Sequence, residues 1–316
     1  MSAKTTIEWT NATWNPVRGC SRVSEGCRNC YAERTAARFS RKKFGSKTLP
    51  FHGFVQIVNG HPAWTGKVEL VEEHLYDPLH WKQPRRIFVN SMSDLFHEAL
   101  PEADIVSVFR IMGSCPQHTF QVLTKRPARM LELLRERRWR DLGQGHYVPL
   151  IPNEGRNGDA AYLPNVQLGV SPHDQPSADE MVPLLLRTPA AGRFVSYEPA
   201  LGPVNFQRWL PSMEIGGAEF ETWLDWVIAG GESGPGARPA NPQWFRNVRD
   251  QCVEAGVPFF FKQWGQYVGT HIFDPKVIEV DSGLGFFTAM KRVSSKKAAG
   301  ALLDGREWRQ FPEVRA

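Results

Sequence analysis

Short runs of apolar, β-branched and aromatic residues recur along the chain, each closing on a polar or glycine-containing turn. They cover residues 86–90, 118–123, 165–170, 192–197, 225–229 and 257–261. Their near-continuous apolar character predicts strands buried on both faces, as in a parallel sheet. Between several of them the apolar positions switch to helical spacing. Ile105, Val108, Phe109 and Met112 mark a helix over 101–113, and Met130, Leu131 and Leu134 mark the next. A third is predicted over 177–187, and a fourth over 242–255, stopped by Gly256. Strand and helix alternating in this way define an α/β protein of βα units. With a further early strand near Thr13-Trp14 or in 67–71, the pattern predicts a full or partial (β/α) barrel of parallel strands. An open doubly wound sheet is the alternative.

Residues 39–62 and 142–163 are rich in Gly, Pro and Asn and read as loop insertions. After Trp264 the βα rhythm is lost. The expected organisation is a barrel domain over 1–264, with a basic extension over 265–316 packed on it.

With 316 residues, 41% of them hydrophobic, the chain can bury a large core. No apolar run reaches the length that spans a bilayer, and the first residues lack a signal-peptide core. A cytoplasmic protein with no membrane partner is expected. The net charge of +5 is unevenly spread. Arg28, Arg34, Arg38, Arg41, Lys42, Lys43 and Lys47 stand against Glu33 alone. Residues 291–316 carry seven basic and three acidic side chains. Such segments suit a phosphate backbone or another anionic partner, or form solvated surface.

Three of the five cysteines lie in one short run, Cys20, Cys27 and Cys30, with Gly19 and Gly26 before the first two. In a reducing compartment such a cluster points to metal rather than disulfides. A structural zinc needs four closed ligands. No further Cys or His completes the set locally, so zinc would recruit His52, His61, His74 or another distant group. A cluster held by three thiolates leaves one iron open for a ligand. Cys115 and Cys252 sit in partly apolar helical sequence and read as small buried hydrophobes.

In parallel α/β folds, ligands gather beyond the carboxyl ends of the strands. Here those ends carry Asn90-Ser91-Met92-Ser93-Asp94, Thr124-Lys125-Arg126-Pro127, Ser171-Pro172-His173-Asp174, Ser196-Tyr197-Glu198-Pro199, Gly230-Gly231-Glu232-Ser233-Gly234 and Lys262-Gln263-Trp264. Lys125 could anchor a carboxylate or phosphate. Glu198 could accept from an amine or hydroxyl, or form an ion pair with Arg193 or Lys125. The glycines at 230 and 231 would let backbone approach a ligand closely.

The run Gly-Cys-x6-Cys-x2-Cys-Tyr-Ala-Glu, preceded by residues 7–16, resembles the three-Cys-motif proteins of phages and prophages. These are related to radical S-adenosylmethionine (SAM) enzymes and photoproduct-lyase-like proteins. The match continues through the strand ends at 90–94, 124–127, 196–199 and 230–234, and into Lys296-Lys297-Ala298-Ala299-Gly300 and Leu303-Asp304-Gly305.

The resemblance implies a 4Fe-4S cluster on Cys20, Cys27 and Cys30, with SAM chelating the fourth iron and an electron donor reducing the cluster. SAM cleavage would then yield a 5′-deoxyadenosyl radical that abstracts hydrogen from substrate. The resemblance also places Lys125, Ser91, Ser93 and Asp94 near SAM; with the other strand ends, the candidate SAM contacts are Ser91, Ser93, Lys125, Ser196, Gly230, Gly231 and Glu232, and the candidate catalytic groups are Asp94 and Glu198. The loop differs from the usual radical-SAM spacing by three extra residues in its first gap. Asn29 stands where an aromatic is usual, and Gly-Gly-Glu comes late in the chain.

Two functions follow. One is a radical-SAM enzyme that modifies or repairs a nucleic-acid base or nucleotide. The other is a nucleic-acid-binding protein whose zinc or iron–sulfur site is structural and does not turn over.

Overall fold

A computed structural model describes residues 5–40, 49–135, 151–152, 161–211, 222–270 and 276–313. The basic residues Arg41, Lys42, Lys43, Lys47 and Arg315, and much of both predicted loop insertions, lie outside the described residues. The sheet at its centre is built from β1 (Ala12–Trp14), β2 (Arg86–Val89), β3 (Thr119–Thr124), β4 (Val166–Val170), β5 (Gly192–Tyr197), β6 (Trp226–Gly230) and β7 (Phe259–Gln263). Their order in the sheet follows their order in the chain. A doubly wound sheet reverses its order at a switch point. This one does not, and the fold is a partial (β/α) barrel of parallel strands.

The predicted strands recur within two residues of their expected bounds. The largest shift is at β7. Gly256, at φ +67°, closes the preceding helix, and Val257 N–H still bonds back to Cys252, so extended pairing starts only after Pro258. The early edge strand is the one around Thr13-Trp14, in register with Ile87–Val89. The other candidate becomes Glu69–Leu70, which pairs antiparallel with Val17–Arg18 outside the main sheet.

The chain divides into two compact units, residues 1–169 with 188–192, and 170–187 with 193–316. The first unit holds β1 to β4 with α1 (Tyr31–Ser40), α2 (Glu102–Gly113) and α3 (Pro127–Arg135). α2 has acidic residues in its first turn and Arg110 in its last, as the helix dipole favours. It buries Ile105, Val108, Phe109 and Met112, the positions that predicted it. A satellite core of Ala32, Ala36, Phe51, Phe54 and Trp64 lies beneath α1, with Cys20 and Cys30 packed against it.

The second unit holds β5 to β7, α4 (Gln175–Leu186) and α5 (Pro242–Glu254). α4 starts with a capping box between Asp174 and Ser177. All five residues of β6 are buried, which explains its unbroken apolar sequence. Beyond Trp264 come β8 (Tyr267–Gly269), β9 (Ile278–Asp281) and β10 (Phe287–Arg292), an antiparallel sheet with β10 in the middle. The end of the chain returns to the parallel sheet: Phe261 N–H of β7 bonds Trp308 O, and the buried Trp226 indole N–H of β6 bonds Gln310 O. Cys115 and Cys252 are fully buried among apolar side chains, as expected.

Candidate functional site

In the first unit the three-cysteine loop begins where the backbone is most crowded. Gly19 has φ +86°, and a Cβ there would stand 1.9 Å from the Lys67 carbonyl oxygen and 2.7 Å from Phe54 Cδ1. Only glycine meets both conditions. It forms a parallel bridge with Ser93, which brings Cys20 to the carboxyl end of β2. The chain then turns through Glu25–Cys27, with Cys27 N–H on Ser24 O and Cys30 N–H on Cys27 O. Cys30 directly precedes α1.

All three cysteines are free and half-buried. Burial pushes the Cys20 thiol up to about 12; Asp94, Cys30 and Cys27 add to the rise, and Arg126 opposes it. Burial also raises Cys30, against hydrogen bonds from the Glu33 and Ala32 backbone that favour its thiolate. Glu33, buried beneath the loop, receives two bonds from Arg22 at 2.8 and 2.6 Å and one from Trp64 N–H.

The strand ends are tied to this loop by a buried guanidinium. Arg126 Nε donates to both Glu98 oxygens at 2.9 and 2.8 Å. Its Nη1 reaches Asp94 Oδ2 at 3.1 Å and Cys20 Sγ at 3.9 Å. Its Nη2 donates to Ser21 Oγ at 2.7 Å and to Ser21 O at 3.3 Å. His97 Nδ1 accepts from Ala99 N–H, so its Nε2 carries the proton and donates to Ser21 Oγ at 2.8 Å. Burial, then the neighbouring Arg126, lowers the His97 pKa.

Asp94 accepts from Thr124 Oγ1, the Phe96 and Lys125 backbone N–H groups and Arg126. Those four donors fill the acceptor positions of a carboxylate. Ser91 Oγ donates to Asn15 Oδ1 and Ser93 Oγ to Val17 O, so both hydroxyls fix the segment leading into the loop. Lys125 is half-buried beside this network, its N–H on Asp94.

The remaining predicted site residues belong to the second unit. Glu198 pairs with Lys262, whose Nζ lies 2.9 and 2.7 Å from its two carboxylate oxygens, and Gln263 Nε2 adds a bond at 3.3 Å. Lys262 thus forms an ion pair with Glu198. Gly230 lies against this pair: a Cβ there would be 3.4 Å from Glu198 Oε1. A Cβ at Gly231 would be 2.0 Å from the Trp264 carbonyl oxygen, so that glycine admits backbone rather than ligand. Glu232 is buried and held by Arg238 through its side chain and its own N–H, an internal brace for the 232–238 loop. Ser196 is buried in β5.

Sequence reasoning passed over Arg126, Glu98, His97 and Ser21 in the first unit and Lys262 in the second. Arg126 and Lys262 stood in the strand-end motifs, but nothing local to them marks burial.

The fold and loop define a partial (β/α)-barrel protein with a three-cysteine loop at its strand ends. Over residues 4–312 the chain matches the family described as Protein of unknown function (DUF5131), and it belongs to that family. Among curated proteins and solved structures, none matches it.

Proposed function

We propose that this protein holds an iron–sulfur cluster on Cys20, Cys27 and Cys30 and acts as a radical-SAM-type enzyme on a nucleic-acid base or nucleotide. The observation that carries the reading is a loop of three free, half-buried thiols whose first cysteine lies at the carboxyl end of a barrel strand. Among the described residues no three Cys, His, Asp or Glu side chains stand as a ready ligand set. Binding therefore requires the thiols to turn toward a common point. The donor chemistry suits this: three soft sulfurs, two backbone N–H groups at Cys30 and a cation at Cys20.

When bound, such a cluster with SAM supplies one-electron cleavage of SAM and hydrogen abstraction from substrate. The chain's own residues prepare the place. Phe51, Phe54 and Trp64 shield one side of the loop from water. Asp94, its acceptor positions filled, braces Arg126 and is not assigned proton transfer. Lys125, Ser91 and Ser93 remain the candidates to meet SAM. In the second unit, Glu198 remains a candidate catalytic group, held by Lys262 Nζ. The nucleic-acid substrate rests on the two basic segments of the sequence.

The test is anaerobic reconstitution with iron and sulfide. About four irons per chain and an electron paramagnetic resonance signal that moves on adding SAM are expected. Zinc retained in place of iron would make the site structural. Absence of 5′-deoxyadenosine under strong reduction, with nucleic-acid substrates present, would remove the radical step.

A further inference from the structure

The guanidinium of Arg126 is held on every side. Arginine has five N–H donors in a planar fork. Here Nε is turned to Glu98, Nη1 to Asp94 and Cys20, and Nη2 to the backbone and side chain of Ser21. Its side chain is only 4% exposed. Two carboxylates fix a single cation, and the N–H left over points at one sulfur. A buried guanidinium must satisfy each of its N–H donors, and the partners that complete this one, Ser21 and Cys20, both stand on the cysteine loop.

We infer that Arg126 is a positioning residue for Cys20. It locks the first cysteine of the loop to the ends of β2 and β3, and it supplies the positive charge and the N–H that a metal-bound Cys20 sulfur needs. Glu98, Asp94 and Ser21 hold the fork in that orientation, so they act on Cys20 through Arg126. This rests on the three-cysteine ligand set proposed above and adds to it a residue outside the ligands. Groups of this kind commonly change metal affinity by about 10–100-fold. A cation and an N–H donor beside a cluster sulfur also favour the more negative, reduced state.

The experiment uses the full chain in two arms. In the first, metal-free protein is titrated anaerobically with Co2+, whose sulfur-to-metal charge-transfer band counts bound thiolates whichever metal is native. In the second, protein reconstituted with iron and sulfide is poised electrochemically and its midpoint potential read. Arg126→Gln should weaken Co2+ binding by about 10-fold or more, with a smaller charge-transfer band, and should shift the midpoint potential downward. Arg126→Lys keeps the charge but not the fork and should recover part of both losses.

Glu98 is exposed, so Glu98→Gln is expected to fold. It should lower Co2+ affinity in the same direction by a smaller factor, and it decides the matter if Arg126→Gln does not fold. Unchanged Co2+ affinity, band and potential in Arg126→Gln, or in Glu98→Gln where that variant decides, would overturn the assignment of Arg126 while leaving the three-cysteine ligand set intact. Wild-type protein that shows no thiolate charge transfer and takes up no iron would overturn the ligand set itself.

Discussion

Single residues in this protein carry effects that their types alone do not suggest. Gly19 and Gly66 share φ +86°, yet a Cβ at Gly66 meets nothing within 4 Å, whereas one at Gly19 would overlap the Lys67 carbonyl. Gly66→Ala should therefore cost about 1 kcal/mol, the backbone penalty alone. Gly19→Ala should cost at least about 3 kcal/mol or displace the cysteine loop, because overlap adds to strain. Urea unfolding of both variants, set beside wild type, checks the contrast; equal losses would refute it.

Gln121 is a second case. It is fully buried on β3, and neither its amide oxygen nor its nitrogen has a partner among the described residues. An unpaired buried amide is destabilising, so Gln121→Met should raise stability by about 1 kcal/mol in the same assay. A loss instead would mean that the amide serves a partner.

At the scale of elements, helix caps decide how the second unit is joined to its tail sheet. Asn241 caps α5 by accepting from Gln243 N–H, and its amide also donates to Val280 O at 2.7 Å and Thr288 Oγ1 at 3.1 Å. Asp174 caps α4 at a partly exposed position, accepting from Ser177 N–H, with His173 Nε2 3.7 Å from its other oxygen. Asp174→Ala should cost about 1 kcal/mol, the usual value of a cap. Asn241→Ala should cost about 2–3 kcal/mol, because it removes the amide bonds to Val280 O and Thr288 Oγ1 as well as the helix cap. Hydrogen exchange should show β9 and β10 losing protection in Asn241→Ala and keeping it in Asp174→Ala.

These elements were largely legible beforehand. The apolar runs and helical spacings that predicted β2 to β7 and α2 to α5 depend on neighbours a few positions apart. The two candidates for the early strand were not separable in that way. Both are short, and the choice lay in whether each could align parallel with β2 or antiparallel with Val17–Arg18.

For the molecule as a whole, acid should act through histidines that fold in the neutral state. Burial lowers the pKa of His97, which faces Arg126, Glu98, Asp94 and Arg129. It also lowers that of His118, beside Arg85 with its Nε2 near Pro78 O. Each binds its proton less readily when folded than at the ordinary value of 6.5. The unfolded chain then holds more protons below that pH, and stability rises with pH through the window. The stabilisation is complete above 6.5 and is lost as pH falls from there through the lowered folded values. Denaturation midpoints at pH 7.5 and 5.5 should differ in that sense, and His97→Gln should flatten part of the slope. A slope of the opposite sign would contradict the burial of both rings.

By itself, the sequence determined the βα order, the apolar faces and the three clustered thiols, because periodicity and short spacing are local properties. The tertiary structure alone decided which polar side chains meet. Arg126 meets Cys20 across 106 positions of chain and Lys262 meets Glu198 across 64, and no local pattern encodes such pairings. Folding also changed what Asp94 can do. A carboxylate that reads as a free catalytic group at a strand end becomes, once Thr124, Phe96, Lys125 and Arg126 close on it, the fixed support of the cation beside the cysteine loop.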